Sequence, residues 1–160
     1  MDDINERRRG HWMSYSARPV SENHILELLN VAVWAPNDGM REPWRFIFIG
    51  SDNTNMLSNL QDQAPAYLIL VIKEDQDPHK REEDYAAASC LMQNFRLLAQ
   101  DRMLHVRMTM NDWIYDRACT RRFGVHDGER IVAVLEMGYG GQSIEPVKVE
   151  DTPDLTFELL

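Results

Sequence analysis

The sequence predicts an α+β fold in which helices pack around one central sheet. Helical and strand-like segments alternate along the chain, and the apolar run at residues 67–72 is continuous rather than alternating. Continuous hydrophobicity is typical of a strand that is covered on both faces. Helices and strands that each bury one face assemble in layers around a shared core. The 160 residues are predicted to form a single domain, 1–160.

Apolar periodicity and backbone-restricting residues set the boundaries of the predicted elements. Ser21 is the expected N-cap of a helix that Pro36 stops, and its apolar residues recur every three to four positions. Pro43 cannot donate to a sheet ladder, so a strand is expected directly after it. Gly140 and Gly141 are expected to turn the chain. In order, the predicted elements are an arm at 1–10, a loop at 14–19, a helix from 21, a strand at 44–49, a short helix at 51–63, a strand at 67–72, a surface loop at 73–84, a long helix at 85–101, a strand at 104–110, a weak helix at 113–123 and a strand at 130–138.

Two segments suggest contact with a second chain. The helix at 85–101 is apolar nearly all round, which is typical of a helix that is buried or packs against another chain. Within it Cys90 is expected to be a buried small hydrophobe. The C-terminal residues 153–160 alternate apolar and polar positions and would form an exposed sticky edge in a monomer. This tail is expected to pair with a sheet, either its own or that of a partner.

Composition excludes several classes of function. The net charge of −9 argues against a nucleic-acid partner, because no excess of cations is available to displace counterions. No apolar stretch is long enough to cross a membrane, and the N-terminus lacks the apolar segment of a secretory signal. Two distant cysteines without a CxxC pair predict free thiols in the cytoplasm. Five scattered histidines predict no metal centre.

The sequence contains none of the standard catalytic motifs. It has no GxGxxG, no GxxxxGK[ST] and no GxSxG, and no nucleophile with an evident activator. These absences fit either a binding module or an enzyme whose chemistry resides on a bound cofactor. The run Arg7–Arg9 could hold a phosphate or be a solvated tail, the loop 37–41 could meet a ring edge, and Trp44 could cover a flat face.

Motifs along nearly the whole chain resemble the nitroreductase family of flavoproteins. An arginine pair, a PVSE helix entry, an APxxxxxxPWRF segment and a late GERIVA…GY segment occur here in the order of that family. The resemblance implies a nitroreductase-like fold with a mixed, mostly antiparallel sheet flanked by helices. It also implies a homodimer with C-terminal strand exchange, FMN at the subunit interface, and ping-pong electron transfer from NAD(P)H to a nitroaromatic, quinone or similar acceptor. The motifs are Arg8–Arg9, Pro19–Glu22, Ala35–Phe46 and Gly128–Tyr139.

The resemblance also assigns residues to the FMN site. Arg8 and Arg9 match the arginines that hold the phosphate or ribityl chain, and Arg107 lies near a segment that contacts the flavin from its other side. Gly10 falls where the family often has serine, although a shift of one residue would place His11 there. The implied cofactor-binding residues are Arg8, Arg9, Gly10, Asn37, Asp38, Met40 and Arg107; no catalytic side chain is implied, since the chemistry belongs to the flavin.

The sequence departs from the family pattern in the loop before the PWRF segment. Met40 stands where the family has asparagine and cannot hydrogen-bond a ring edge through an amide. Glu42 replaces glutamine and would place negative charge close to a ring that gains negative charge on reduction. Weaker FMN binding, a lower flavin potential or loss of activity could follow. The alternative function is therefore a flavin-binding or interaction protein with weakened redox turnover.

Overall fold

The computed structural model describes residues 13–53 and 64–143. These residues form a five-stranded sheet in which β5 lies between β3 and β4, β2 flanks β3, and β1 pairs with the far end of β5. Every described strand pair is antiparallel, so the predicted fold class is confirmed and the parallel component implied by "mixed" is not seen among these strands. The strands are β1 (Met13–Tyr15), β2 (Trp44–Ile49), β3 (Ala66–Lys73), β4 (Leu104–Thr109) and β5 (Glu129–Ser143).

Both faces of the sheet are covered. Helices α1 (Glu22–Ala32) and α2 (Pro78–Asp101) pack on one face, where Leu68, Leu70 and Leu135 are buried. The opposite face lies under a short 3₁₀ turn (Asp112–Tyr115) and helix α3 (Arg117–Arg122). All residues of β3 except its last are buried, as the continuous apolar run predicted.

Helix α1 begins where it was predicted to begin and ends at Ala32, before the predicted stop at Pro36. Ser21 occupies the N-cap position, although its side chain makes no capping hydrogen bond. Ile25, Leu28, Leu29 and Ala32 form the buried face, as their spacing predicted. The predicted weak helix at 113–123 is instead divided into the 3₁₀ turn and α3, because Asp116 starts a new helix by accepting hydrogen bonds from the amides of Ala118 and Cys119.

The prediction of a surface loop through residue 84 is wrong, because α2 already begins at Pro78. Asp77 caps the helix by accepting a hydrogen bond from the amide of His79 at 3.0 Å. Proline at the first helical position costs no hydrogen bond, since that amide has no intrahelical partner. The first two turns are charged and therefore carry no apolar periodicity, although the Asp-Pro pair is itself a helix-start signal.

The prediction that Cys90 is buried is also wrong. The buried face of α2 runs through Ala88, Leu91, Phe95 and Ala99, so Cys90 lies on the exposed side of the helix. Both cysteines are free thiols. The outer side of the helix therefore carries Cys90 and Leu97 among polar residues.

Strand β5 continues beyond its predicted end. Gly140 and Gly141 do not turn the chain, because β1 pairs with β5 there and extends the ladder; the predicted loop at 14–19 accordingly begins as a strand. Gly138 is required by close packing, since a Cβ atom there would lie 2.5 Å from Cδ1 of Tyr15.

Several predictions fall wholly or mostly outside the described residues. These are the arm at 1–10, most of the short helix at 51–63, and the C-terminal tail with its strand exchange. The assignment of 1–160 to one domain stays a prediction. Within 13–53 and 64–143, no helix is both long and apolar enough to cross a membrane.

Candidate functional site

The loop between α1 and β2 has an unusual backbone conformation. Gly39, Met40 and Glu42 all adopt the left-handed region, with φ of 58°, 49° and 46°. Only glycine enters this region without a steric penalty, so two residues of this short loop are strained. Strained residues of this kind cluster at ligand sites, where the surrounding structure holds them in place. The loop also presents Met40 to solvent, with 80% of its surface exposed.

Asn37 braces this loop from within. Its amide nitrogen donates to the carbonyl oxygen of Ala35 at 3.3 Å, and its amide oxygen accepts from the backbone N–H of Glu42 at 3.2 Å. Both ends of the side chain are thus bonded inside the loop that the sequence assigned to the flavin. Asp38 begins the 3₁₀ turn Asp38–Met40. Direct contact of Asn37, Asp38 or Met40 with a cofactor stays a prediction.

Arg41 anchors the loop to α2. Its Nε and Nη2 atoms donate to Oδ1 of Asp84 at 3.2 and 2.8 Å, and Nη2 also donates to Oε2 of Glu83 at 3.1 Å. The Asp84 side chain is buried, with 7% of its surface exposed. A buried carboxylate requires a charged partner, so this contact fixes Arg41 inward while Met40 faces outward.

A shallow cleft of about 160 Å³ lies between α2 and β4. Met92, Met108, Met110 and Val132 provide apolar walls, and its polar lining residues come from α2. The side chains of two of these, Gln93 and Arg96, make no hydrogen bond or ion pair with any residue in 13–53 or 64–143. The remaining lining residues are Tyr85 and Ser89, and Tyr85 directly follows the Asp84 that anchors the loop.

Arg107 lies on β4 directly opposite Glu136 of β5. Its Nε donates to Oε2 of Glu136 at 2.8 Å, and its Nη2 lies 2.6 Å from the same oxygen. Glu136 is 2% exposed, so the guanidinium neutralises a charge within the sheet face. Arg107 thus has a clear structural partner, and its predicted flavin contact stays a prediction.

Two of the recognised motifs are joined by an ion pair that the sequence did not reveal. Arg45 of the PWRF segment donates from Nε to Oε1 of Glu129 at 2.8 Å and from Nη2 to Oε2 at 2.6 Å, while Glu129 belongs to the GERIVA segment. Glu129 also accepts from the amide of His126 at 2.8 Å, and Arg45 donates to the carbonyl of Gly124 at 2.7 Å. The two motifs therefore have a structural function, because they tie β2 and β5 to the loop after α3.

Glu129→Gln is expected to lower the free energy of unfolding near neutral pH by about 1.5–3 kcal/mol, the usual value of a hydrogen bond to a charged group. Hydrogen bonds from Arg45 and His126 lower the pKa of Glu129 from 4.5 to about 2. Because the folded-state pKa lies below the unfolded value, this stabilisation is complete above about pH 4.5 and is lost as the pH falls toward about 2. Urea unfolding near pH 7 and near pH 3 measures the difference in the free energy of unfolding between wild type and variant. This difference should be smaller at the lower pH.

Asp127→Asn is the matched control for this pair. Asp127 bonds Arg121 at 2.9 Å, but both side chains are exposed. Exposed pairs contribute little, so the control should unfold like wild type. If Glu129→Gln lowers the free energy of unfolding by the same amount at both pH values, the stabilising role of the ionised Glu129 is contradicted.

Other predicted groups lie outside the site or outside the described residues. Arg8, Arg9 and Gly10 are not among residues 13–53 and 64–143. Trp44 packs half-buried against the helix-side core, whereas Trp34, which belongs to none of the recognised motifs, is exposed at the start of the loop. No group of His, Cys, Asp or Glu within the described ranges is arranged to hold a metal ion.

Comparison with known proteins supports the resemblance drawn from the motifs. A model of the nitroreductase family matches residues 6–64. The protein YfhC of Bacillus subtilis, named as an inferred NAD(P)H nitroreductase, is 29% identical over 166 residues that span 89% of this chain and 86% of YfhC. The crystal structure of a nitroreductase-like family protein from Bacillus cereus is 28% identical, covers 94% of this chain and 90% of its own, and has a TM-score of 0.79.

A more distant structure shares the fold alone. A variant of the FMN and NADPH-dependent nitroreductase NfnB, from a Sphigopyxis strain, is 13% identical with a TM-score of 0.72, and the match covers 98% of this chain and 95% of that one. The predicted resemblance to the nitroreductase family and the predicted nitroreductase-like fold are confirmed by these matches together.

Proposed function

We propose that this chain, which matches the nitroreductase family in both sequence and fold, is an oxidoreductase that works through bound FMN. The observation that carries the proposal is the nitroreductase-like fold over nearly the whole chain, which places a strained, braced loop where the PWRF motif begins. NfnB, named as FMN- and NADPH-dependent, has the same fold. When bound, FMN would supply the redox chemistry by accepting a hydride from NAD(P)H and passing electrons to a nitroaromatic, quinone or similar acceptor.

The described residues fit part of such a cofactor. Methionines of the cleft offer an apolar wall against which an aromatic ring packs well, and Arg96 offers a cation for an anionic group. A cavity of about 150 Å³ holds a single benzene ring, so the cleft alone is too small for a three-ring system. Arg8 and Arg9 would add phosphate contacts, and Asn37 would hold the loop in place.

A homodimer is part of the same proposal. The exposed side of α2 carries Ala86, Cys90 and Leu97 beside the uncharged Gln93 and Asn94, a surface that a second copy would cover. A second chain would also supply the ring contacts that the small cleft lacks. Exchange of the C-terminal residues 153–160 between subunits and cytoplasmic residence with free thiols complete the proposal, with a small-molecule acceptor as substrate.

The absorbance spectrum of the purified protein between about 300 and 550 nm tests the proposal, because bound flavin absorbs there and loses its long-wavelength band on reduction. Spectra are recorded before and after addition of FMN and then under anaerobic NADPH or NADH. Bands that appear with FMN and bleach with a nicotinamide establish a working reductase. Protein that takes up no FMN would rule the proposal out.

Arg9→Ala is expected to raise the dissociation constant for FMN by roughly tenfold or more, because a charge-assisted phosphate contact is worth about 1.5–3 kcal/mol. Titration with FMN, followed by quenching of flavin fluorescence, measures the change. Arg81→Ala is the control, since the Arg81 guanidinium donates to the carbonyl oxygens of Asp75 and Gln76 at the exposed start of α2. An unchanged constant in Arg9→Ala would remove Arg9 from the site.

A second candidate function rests on the loop. The amide of Asn37 is bonded within its own loop, and the exposed Met40 carries no hydrogen-bonding amide for a ring edge. A chain with these features could hold flavin without turning it over. Flavin bands that neither NADPH nor NADH bleaches would favour this flavin-binding or interaction protein over the reductase.

A further inference from the structure

We propose that Arg41 is a positioning residue that, through Asp84 and Glu83 on α2, holds the loop 37–42 in the conformation in which it meets the flavin. This inference rests on the proposed function for the identity of the ligand. The contact between Arg41 and the two carboxylates, here called the loop clamp, joins residues more than forty positions apart in the chain.

The loop needs such a clamp because its backbone is unfavourable in isolation. Met40 and Glu42 both have positive φ, and Arg41 stands between them. Left-handed conformations are disfavoured for residues with a Cβ atom, so without a tertiary contact the segment would relax to other conformations. The brace from Asn37 ties the loop to itself but not to the rest of the protein.

The clamp is built for geometric precision. The guanidinium bonds Oδ1 of Asp84 with two nitrogens, Nε and Nη2, and Nη2 also reaches Glu83. A planar donor fork fixes both the position and the orientation of its partner, which the single point charge of lysine does not. Since Asp84 is buried and α2 packs on the sheet, the clamp attaches the loop to the core of the fold.

The clamp also attaches the loop to the end of α2 from which the cleft begins. Asp84 is followed by Tyr85, which lines the cleft between α2 and β4. A displacement of the loop from α2 would therefore change the ligand surface at this end of the helix. A ligand that binds only the clamped conformation must overcome the cost of restoring it when the clamp is lost, and its apparent affinity falls by the corresponding factor.

The test compares Arg41→Ala, Arg41→Lys and wild type by FMN titration, by kcat at saturating FMN, and by backbone amide hydrogen exchange of the apo protein. Arg41→Ala is expected to raise the dissociation constant for FMN about tenfold or more, with exchange at residues 39–42 accelerated by a similar factor. Arg41→Lys should restore part of the affinity. Turnover at saturating FMN should stay within about twofold of wild type, because no reacting group is removed.

Arg45→Ala is the matched control. It removes an ion pair of comparable geometry and should lower the melting temperature, but it leaves the loop clamp intact. Exchange at 39–42 and FMN affinity should therefore stay near wild type. Should Arg41→Ala fail to fold because Asp84 is left buried and charged, the double variant Arg41→Met with Asp84→Asn removes both charges and is measured in its place.

The outcomes separate this inference from the proposed function. Unchanged exchange at 39–42 and unchanged FMN affinity in Arg41→Ala would overturn the clamp while leaving an FMN enzyme intact. If Arg41→Ala and Arg45→Ala lose FMN affinity and exchange protection at 39–42 to the same extent, the clamp is also overturned. The effect would then be one of general stability. Wild type that takes up no FMN would refute the proposed function and the clamp's role in cofactor binding, and amide exchange would still decide whether Arg41 holds the loop.

Discussion

Replacing Arg107 with alanine is expected to destabilise the fold by about 3–5 kcal/mol, because the variant leaves a buried carboxylate without its guanidinium. Glu136 is 2% exposed, and two nitrogens of Arg107 bond the same oxygen across the β4–β5 ladder. Taking a charge out of water costs several kcal/mol unless a well-placed partner offsets it. Urea unfolding followed by tryptophan fluorescence measures the loss, and a variant that unfolds at the urea concentration of wild type would contradict this reading.

The double variant Arg107→Met with Glu136→Leu separates the structural role of Arg107 from its predicted cofactor role. Apolar residues of similar volume often replace a buried ion pair with little loss of stability, so the double variant should recover most of what Arg107→Ala loses. If Arg107 also binds FMN, this stable protein will still show weakened affinity. Wild-type affinity in the double variant would remove Arg107 from the list of cofactor-binding residues.

The order of the elements could be predicted because their apolar patterns are strong. The run at 67–72 is short, follows Pro65 and has a branched or aromatic residue at each position, which together favour a buried strand over a buried helix. Pro43 fixed the start of β2 through a local steric rule that holds in any tertiary context. The first turns of α2 were missed because charged residues at 80–84 carry no apolar signal, even though Asp77 and Pro78 marked the start.

The candidate site was predicted only in outline, because its conformation depends on contacts between distant residues. Nothing local in the sequence requires positive φ at Met40 and Glu42; Arg41 and Asp84, far apart in the chain, hold the loop in place. The pairing of Arg45 with Glu129 likewise joins two motifs whose contact cannot be deduced from either alone. The motifs indicated the family correctly, whereas assigning individual side chains to ligand or structural roles required the fold.

The orientation of α2 was also set by tertiary packing rather than by residue type. Alanine and cysteine at 86–90 are apolar but small, so they contribute little to the choice of face, whereas Phe95 has far more surface to bury. The structure accordingly buries Phe95 completely and leaves Cys90 exposed. Periodicity therefore predicted a buried helix but not which of its sides faces the sheet.

Phe95→Ala is expected to cost about 3–5 kcal/mol, the usual range for truncating a buried aromatic residue, because it opens a cavity between α2 and the sheet. Leu97→Ala on the opposite side is the matched control: Leu97 is 43% exposed in the single chain and should cost less than about 1 kcal/mol if that side stays in water. Thermal unfolding gives the melting temperatures of wild type and both variants. Each protein is measured at two concentrations about a hundredfold apart, so that the burial of both sides of the helix is tested in one experiment.

The same measurement decides whether a second copy covers α2. If the proposed homodimer buries Leu97, the wild-type melting temperature will rise with protein concentration, because association stabilises the folded state by mass action. Leu97→Ala will then melt lower than wild type by an amount that also depends on concentration, while the loss in Phe95→Ala persists at every concentration. If the wild-type melting temperature does not depend on protein concentration and Leu97→Ala melts like wild type, the outer side of α2 is exposed to solvent. That result would contradict a dimer built on α2. A Phe95→Ala variant as stable as wild type would contradict the orientation of the helix itself.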